Sequence, residues 1–161
     1  LKTGHTDEAG FCLTASSKRG PMRLISVVMG ANSMQARADQ TRALFNWGFA
    51  NYETAQVRPA GQELAKPTVW FGKGDSVSVG LASAMNVTLP RGQKDQLKLS
   101  LEIPASLDAP IQAGQNVGKI VVSLDGKPVA EQALVALQPV EEANFIVRFW
   151  HHIKKFFAGL F

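Results

Sequence analysis

The strongest constraint on how this chain folds lies between residues 97 and 103, where Leu97, Leu99, Leu101 and Ile103 alternate with Lys98, Ser100 and Glu102. A period of two puts the apolar side chains on one face of an extended strand and the polar ones on the other, so the segment predicts a strand with one face covered. Such a strand cannot stand alone, because its backbone donors and acceptors need neighbours. Further strands are expected at 68–71, 76–81, 85–89, 117–124 and 128–137. Asp125-Gly126 separates the last two and suits a tight hairpin, whose turn needs positive φ. Short strands with regular turns and no helix between them point to a small β-sandwich.

Upstream the pattern differs. Residues 2–18 read as one extended segment and 21–30 as an apolar strand carrying Met22, Leu24, Ile25, Val27, Val28 and Met29, with Arg19-Gly20 as the turn between them. Residues 33–52 read as a helix: Ala38, Thr41, Leu44, Phe45, Gly48 and Tyr52 recur at three- and four-residue intervals, with Arg37, Asp39, Gln40 and Arg42 on the other face. Ser33 suits its N-cap. A helix following two antiparallel strands is expected to cover one face of their sheet. Between 56 and 67, Pro59, Gly61 and Pro67 interrupt any regular element, and this stretch reads as a linker. The expected division is therefore 1–58 as an α+β piece, 59–143 as an all-β domain and 144–161 as a separate carboxy-terminal helix.

That last segment changes character again. On a helical wheel Phe145, Ile146, Phe149, Trp150, Ile153, Phe156, Phe157, Leu160 and Phe161 form one broad apolar face, with Arg148, His151, His152, Lys154 and Lys155 mainly opposite. So much aromatic surface exceeds what a soluble helix exposes. The cations make spanning a bilayer costly, whereas lying flat keeps them in water and buries the rings. Phe145, Phe149, Trp150, Ile153, Phe156 and Phe157 are expected to anchor the helix in a membrane interface, with Lys154 and Lys155 meeting anionic lipid. The competing account docks the same face on the protein's own β-domain or on a partner. His151 and His152 are adjacent and point about 100° apart on a helix, which does not suit shared ligation of one metal.

Composition removes some function classes. The net charge of +4 is uneven: residues 59–143 carry 7 basic and 9 acidic side chains, and the basic excess lies at the two ends. With no Arg/Lys stripe interleaved with aromatics and no recognisable motif, nucleic acid is not an expected partner. A lone cysteine, Cys12, permits no internal disulfide, and it reads as a small side chain on a strand because no His or Asn arrangement would make it a nucleophile. No apolar run is long enough to span a membrane as a simple helix.

The motif with chemical content is K-T-G-H-T at residues 2–6, followed by A-G-F at 9–11, M-R-L-I-S-V-V-M-G at 22–30 and W-G-F at 47–49. K-T-G is one of three motifs that build the active site of penicillin-binding proteins and β-lactamases. With W-F-G at 70–72, L-P-R-G at 89–92, L-D-G-K at 124–127 and the basic aromatic tail, nearly the whole chain resembles the D-alanyl-D-alanine carboxypeptidases, the low-molecular-weight penicillin-binding proteins of bacterial cell walls. The other two motifs, S-x-x-K and S-x-N, are absent at every serine. The chain is accordingly expected to be a carboxy-terminal fragment that lacks the nucleophile and is inactive alone.

The resemblance implies the end of a penicillin-binding/β-lactamase-like transpeptidase domain at 1–58, then the β-sandwich and the amphipathic helix. It implies a serine-type carboxypeptidase that removes the terminal D-alanine of peptidoglycan stem peptides through an acyl-enzyme and is acylated by β-lactams. In that chemistry the K-T-G strand forms the wall of the site. Lys2 adds positive charge, Thr3 offers a hydroxyl to the substrate carboxylate, and Gly4 lets the backbone come close. The backbone N–H of His5 forms half of the oxyanion hole, and its side chain is not needed as a base. Arg37 matches an arginine the family carries at the start of this helix and is expected to help bind the carboxylate, although a solvated arginine fits the pattern as well. No metal or cofactor is implied, and the place of work is the periplasmic face of the bacterial cytoplasmic membrane. A non-catalytic membrane-tethered β-sandwich that holds a partner or sets a distance is the alternative, separated from the enzyme reading only by K-T-G-H-T and Arg37.

Overall fold

The computed structural model describes residues 1–145. The described chain is mostly β-strand with one helix, α1 (Met34–Asn51). The strands are β1 (Lys2–Thr6), β2 (Gly10–Arg19), β3 (Met22–Ala31), β4 (Tyr52–Arg58), β5 (Glu63–Ala65) and β6 (Thr68–Trp70). They continue as β7 (Val79–Gly80), β8 (Met85–Pro90), β9 (Lys98–Glu102), β10 (Ser106–Asp108), β11 (Asn116–Leu124) and β12 (Lys127–Ala136). Two compact units form, one from residues 1–55 with 87–95, the other from 56–86 with 96 onward. Residues 87–95 thus cluster with the chain's beginning.

In the first unit β1, β2 and β3 form an antiparallel sheet in that order. The extended segment expected over 2–18 is in fact a hairpin. Thr6 Oγ1 accepts from the Ala9 N–H at 3.0 Å and closes the turn, and Gly10 leaves it at φ 63°. A Cβ at residue 10 would stand 3.0 Å from the Ala31 carbonyl oxygen, so glycine is required there on two counts. Helix α1 begins as expected, with Ser33 Oγ accepting from the Ala36 N–H at 3.0 Å. It packs across β2 and β3, where the register pairs Leu13–Val28 and Ala15–Ser26 are buried. From the helix Thr41, Gly48 and Phe49 are buried.

The apolar repeat placed Leu44 inside and passed over Phe49, whereas Leu44 is 48% exposed and Phe49 is buried. The sheet ends at β3, so the flank of α1 carrying Leu44 and Trp47 reaches its margin, where with Ile25 and Val27 they line a cavity of about 450 Å³. On the sheet face away from α1, Ile25 and Met29 are exposed to more than 70%.

The carboxy-terminal end of α1 has no basic residue in its last turn. Arg91, just after β8, supplies the cation instead. Its Nη2 donates to the carbonyls of Phe49 (2.8 Å) and Tyr52 (3.3 Å), its Nε to Ala50 (3.1 Å), and its backbone N–H to Asn51 (2.8 Å). The last carbonyls of a helix lack intrahelical partners and sit at its negative end, so a guanidinium both satisfies and neutralises them. β4 pairs with β8 beside this cap, and the hydroxyls of Thr54 and Thr88 are 2.7 Å apart.

In the second unit five strands pair in the order β5-β7-β12-β11-β9, and β6 pairs with β10 in parallel. Val69, Val77, Val79, Leu81, Ile120, Val122 and Leu134 are the largest of its fully buried side chains. The Asp125-Gly126 hairpin has the expected positive φ values, 51° and 77°. The segment 56–67, read as a linker, instead holds the end of β4 and the whole of β5, which pairs antiparallel with β7. Three residues between Gly61 and Pro67 are too short to display a period. The strand with the clearest alternation, β9, lies at the edge of the sheet, which is why Leu101 remains 40% exposed. Phe145 is 83% exposed, and the rest of the tail on which the amphipathic helix was expected, including Phe149, Trp150, Ile153, Lys154, Lys155, Phe156 and Phe157, lies outside the described residues.

Removing the distant cap tests this account. Arg91→Ala is expected to cost about 1–2 kcal/mol, the scale of lost charged hydrogen bonds at a partly exposed site. The measurement is the urea midpoint of the helical circular dichroism signal, and an unchanged midpoint would remove Arg91 from the stability of α1.

Candidate active site

Strand β1 carries K-T-G and forms one edge of its sheet, with every residue from Lys2 to Thr6 exposed. Its pairing with β2 sets Lys2 opposite Thr14, Thr3 opposite Leu13, Gly4 opposite Cys12 and His5 opposite Phe11. Side chains alternate across a strand. Lys2 and Gly4 therefore share a face with Thr14 and, through it, Val27 of β3, whereas Thr3 and His5 lie on the face of Leu13 and Val28 that α1 covers.

Arg37, in the first turn of α1, reaches back to this hairpin. Its Nη1 donates to the carbonyl oxygens of both Gly4 (3.2 Å) and Cys12 (3.1 Å). These two residues are register partners. In an antiparallel ladder partners alternate between pairs whose carbonyls point at each other's strand and pairs whose carbonyls point apart. One nitrogen within hydrogen-bond reach of both oxygens requires the first kind, so the Gly4 and Cys12 carbonyls lie between β1 and β2.

A consequence follows along the backbone. The Gly4–His5 peptide is trans, the single cis bond among the described residues being Ala109–Pro110. In a trans peptide C=O and N–H point in opposite directions. With the Gly4 carbonyl aimed at β2, the His5 N–H points away from it, to the unpaired side of β1. By the same alternation the N–H of Thr3 faces that side too.

The His5 ring is occupied elsewhere. It stacks on Phe11 with centroids 3.9 Å apart and planes 5° from parallel, and its Nδ1 lies 3.2 Å from the Gly10 carbonyl oxygen, which assigns the proton in that bond to Nδ1. The Arg37 guanidinium carbon is 5.7 Å from the Phe11 centroid. Lys2, Thr3, Gly4, His5 and Arg37 are thus brought together at one sheet edge. Phe11 joins them without having been singled out, although it lies in the A-G-F segment; its partner role depends on a register that one sequence does not display. Cys12 is half-buried on β2, with Sγ 3.6 Å from the Ala9 carbonyl oxygen. Among the described residues no group of His, Cys, Asp and Glu side chains is placed to hold a metal ion, and no helix is long and apolar enough to cross a membrane.

Comparison with known proteins gives this arrangement a family. Residues 52–142 match the family described as penicillin-binding protein 5, C-terminal domain, and residues 1–33 match D-alanyl-D-alanine carboxypeptidase. The chain belongs to the penicillin-binding protein 5 family. It is 42% identical over 162 residues to D-alanyl-D-alanine carboxypeptidase DacA of Escherichia coli (strain K12), covering 100% of this chain and 40% of that protein. To DacA of Haemophilus influenzae it is 38% identical over 163 residues, with 100% and 42% covered. The structure of penicillin binding protein 5 from Haemophilus influenzae superposes with a TM-score of 0.79 at 40% identity, over 88% of this chain and 42% of that one. The chain thus spans about 40% of the length of the relatives it matches.

Gly4 offers a way to separate folding from chemistry at this edge. A Cβ there would meet no atom of the chain within 4 Å, and the residue is not among the positive-φ glycines. Gly4→Ala is therefore expected to change stability by less than about 0.5 kcal/mol, as for a surface substitution. A fall in thermal midpoint of several degrees would mean that glycine serves the fold and not the approach of a ligand.

Proposed function

We propose that this chain supplies the K-T-G wall and the carboxy-terminal domain of a serine-type D-Ala-D-Ala carboxypeptidase. The observation that carries the reading is the exposed edge of β1, where K-T-G lies and the His5 N–H points to the unpaired side. An extended stem peptide lies along that edge and exchanges main-chain hydrogen bonds with it. A serine from the S-x-x-K motif, in a region upstream of K-T-G, attacks the carbonyl carbon between the two D-alanines. The oxyanion so formed takes a hydrogen bond from the His5 N–H. The C–N bond then breaks, D-alanine leaves as the protonated amine, and water hydrolyses the ester to release the shortened peptide. β-Lactams acylate the same serine.

Each side chain has a part in this. Lys2, on the sheet face away from α1, contributes positive charge beside the nucleophile. Thr3 and Gly4 bind the end of the substrate, and Arg37 contributes a second cation for its carboxylate. The His5 ring, stacked on Phe11 and bonded to Gly10, supports backbone duty alone. No metal or cofactor enters. The apolar face of β3 and the flank of α1 fit burial inside a larger transpeptidase domain of this family.

The second unit is the β-sandwich domain of this reading, and residues 144–161 form the interfacial helix that holds the protein at the periplasmic face of the cytoplasmic membrane. The aromatic face supplies hydrophobic burial, and Arg148, Lys154 and Lys155 favour anionic lipid.

Labelled penicillin tests the enzyme reading. The 161-residue chain is expected to stay unlabelled, and the same chain extended upstream through S-x-x-K and S-x-N to be labelled. Stable labelling of the short chain would defeat the assignment of the nucleophile. In the extended protein Lys2→Ala is expected to lower acylation by about a hundredfold, on the scale of one preorganised electrostatic contact. Vesicle flotation tests the anchor: the protein should float with anionic vesicles and lose this on removal of 144–161 or with Phe149→Asp. Failure of the intact protein to float would favour docking of the tail on protein.

A further inference from the structure

The Arg37 hydrogen bonds fall on a carbonyl with a particular consequence. The oxygen of Gly4 and the N–H of His5 belong to one peptide group, so a cation on the first acts on the second. From this we propose that Arg37 is a positioning residue for the oxyanion hole: by donating to the Gly4 carbonyl it holds the His5 N–H in the outward direction that the ladder gives it and strengthens it as a donor. The inference rests on the reading of this edge as the carboxypeptidase site and assigns Arg37 a role beyond contact with the substrate carboxylate.

The chemistry is that of hydrogen-bond cooperativity. A guanidinium on a carbonyl oxygen draws electron density toward the oxygen, increases the double-bond character between carbon and nitrogen, and leaves the amide hydrogen more positive. Arginine keeps its charge at every pH at which an enzyme works, so the effect is constant. The Gly4 and Cys12 carbonyls already face each other's N–H groups across the ladder, and each oxygen has two lone pairs. The Arg37 bonds are therefore second bonds on both oxygens. They are not needed to satisfy a buried acceptor, so beyond tying α1 to the hairpin they contribute a second restraint on the Gly4–His5 peptide and its polarisation.

The guanidinium is held for this task from two sides. Ser33 starts the helix, and the Arg37 N–H makes the helix's opening bond to the Ser33 carbonyl at 3.1 Å. The Phe11 ring lies beneath the guanidinium at 5.7 Å, with His5 stacked on that ring at 3.9 Å. Arg37 is half-buried, so solvent screens its charge less than on an open surface. Backbone and side chain of His5 are thus both referred to the same cation.

The test uses the protein extended upstream to include S-x-x-K and S-x-N, with two substrates: a thioester ending in a free carboxylate and its methyl ester. Arg37→Gln is expected to lower the acylation rate constant about tenfold for the methyl ester, less than deletion of a whole oxyanion donor, and by at least as much for the carboxylate substrate, which also loses the contact with its carboxylate. Arg37→Lys, which keeps a cation but not the fork, should lose about threefold for the methyl ester and carries the test if the glutamine variant does not fold. In parallel, selective ¹⁵N-histidine labelling follows the His5 amide, whose proton should move upfield in Arg37→Gln and less in Arg37→Lys. A loss confined to the carboxylate substrate, with an unmoved His5 amide, would overturn the proposal and make Arg37 a carboxylate ligand only. If the unsubstituted protein is not acylated at all, the carboxypeptidase reading fails, and the His5 amide shift by itself decides whether Arg37 polarises this peptide.

Discussion

One guanidinium bonded to two carbonyls joins the helix of this protein to its K-T-G hairpin. Arg37 belongs to the helix, and Gly4 and Cys12 belong to adjacent strands. The contact therefore ties α1 to the K-T-G hairpin at the level of the backbone. Side-chain packing alone would position the strand to within the tolerance of rotamer adjustment. A bond to the carbonyl of the peptide in question adds a restraint on the backbone itself, because in a planar trans peptide the direction of the C=O also sets that of the N–H.

The same economy of means recurs at the other end of the helix, where Arg91 gathers the carbonyls of Phe49, Ala50 and Tyr52. Between these arginines, one near each end, α1 is held to segments that lie before it and after it in the chain. The two contacts differ in kind. Arg91 answers carbonyls that the helix itself leaves without partners. Arg37 binds carbonyls that already have ladder partners, and the role proposed for it at the oxyanion hole rests on that difference.

Much of the local structure was legible in the sequence. The Ser33 cap, the Asp125-Gly126 hairpin and the extended character of K-T-G each depend on a few adjacent residues, so their signals are complete within a short window. The turn after Thr6 also carried its signal in T-D-E-A-G, yet the long extended reading of 2–18 ran over it. β5 gave none, since three residues cannot establish a period, and its strand exists because β7 offers it a ladder. The parallel pairing of β6 with β10 and the capping of α1 by Arg91 connect residues some 40 positions apart. Nothing within either segment names its partner.

The candidate site divides in the same way. By itself the sequence carried the resemblance that points to this chemistry, because K-T-G, the motifs that follow it and the absence of S-x-x-K and S-x-N are properties of residue types and spacing. It also determined that K-T-G is extended and that a strand at 21–30 and a helix at 33–52 follow it, but it ran β1 and β2 together as one segment. Only the tertiary structure decided that this strand is an edge, that the His5 N–H faces outward while its ring is spent on Phe11 and Gly10, and that Arg37 holds the carbonyl between them. The physical reason is that the direction of a backbone group is set by the register of two strands and by a side chain more than thirty residues away, and register is a relation between segments that no single segment contains.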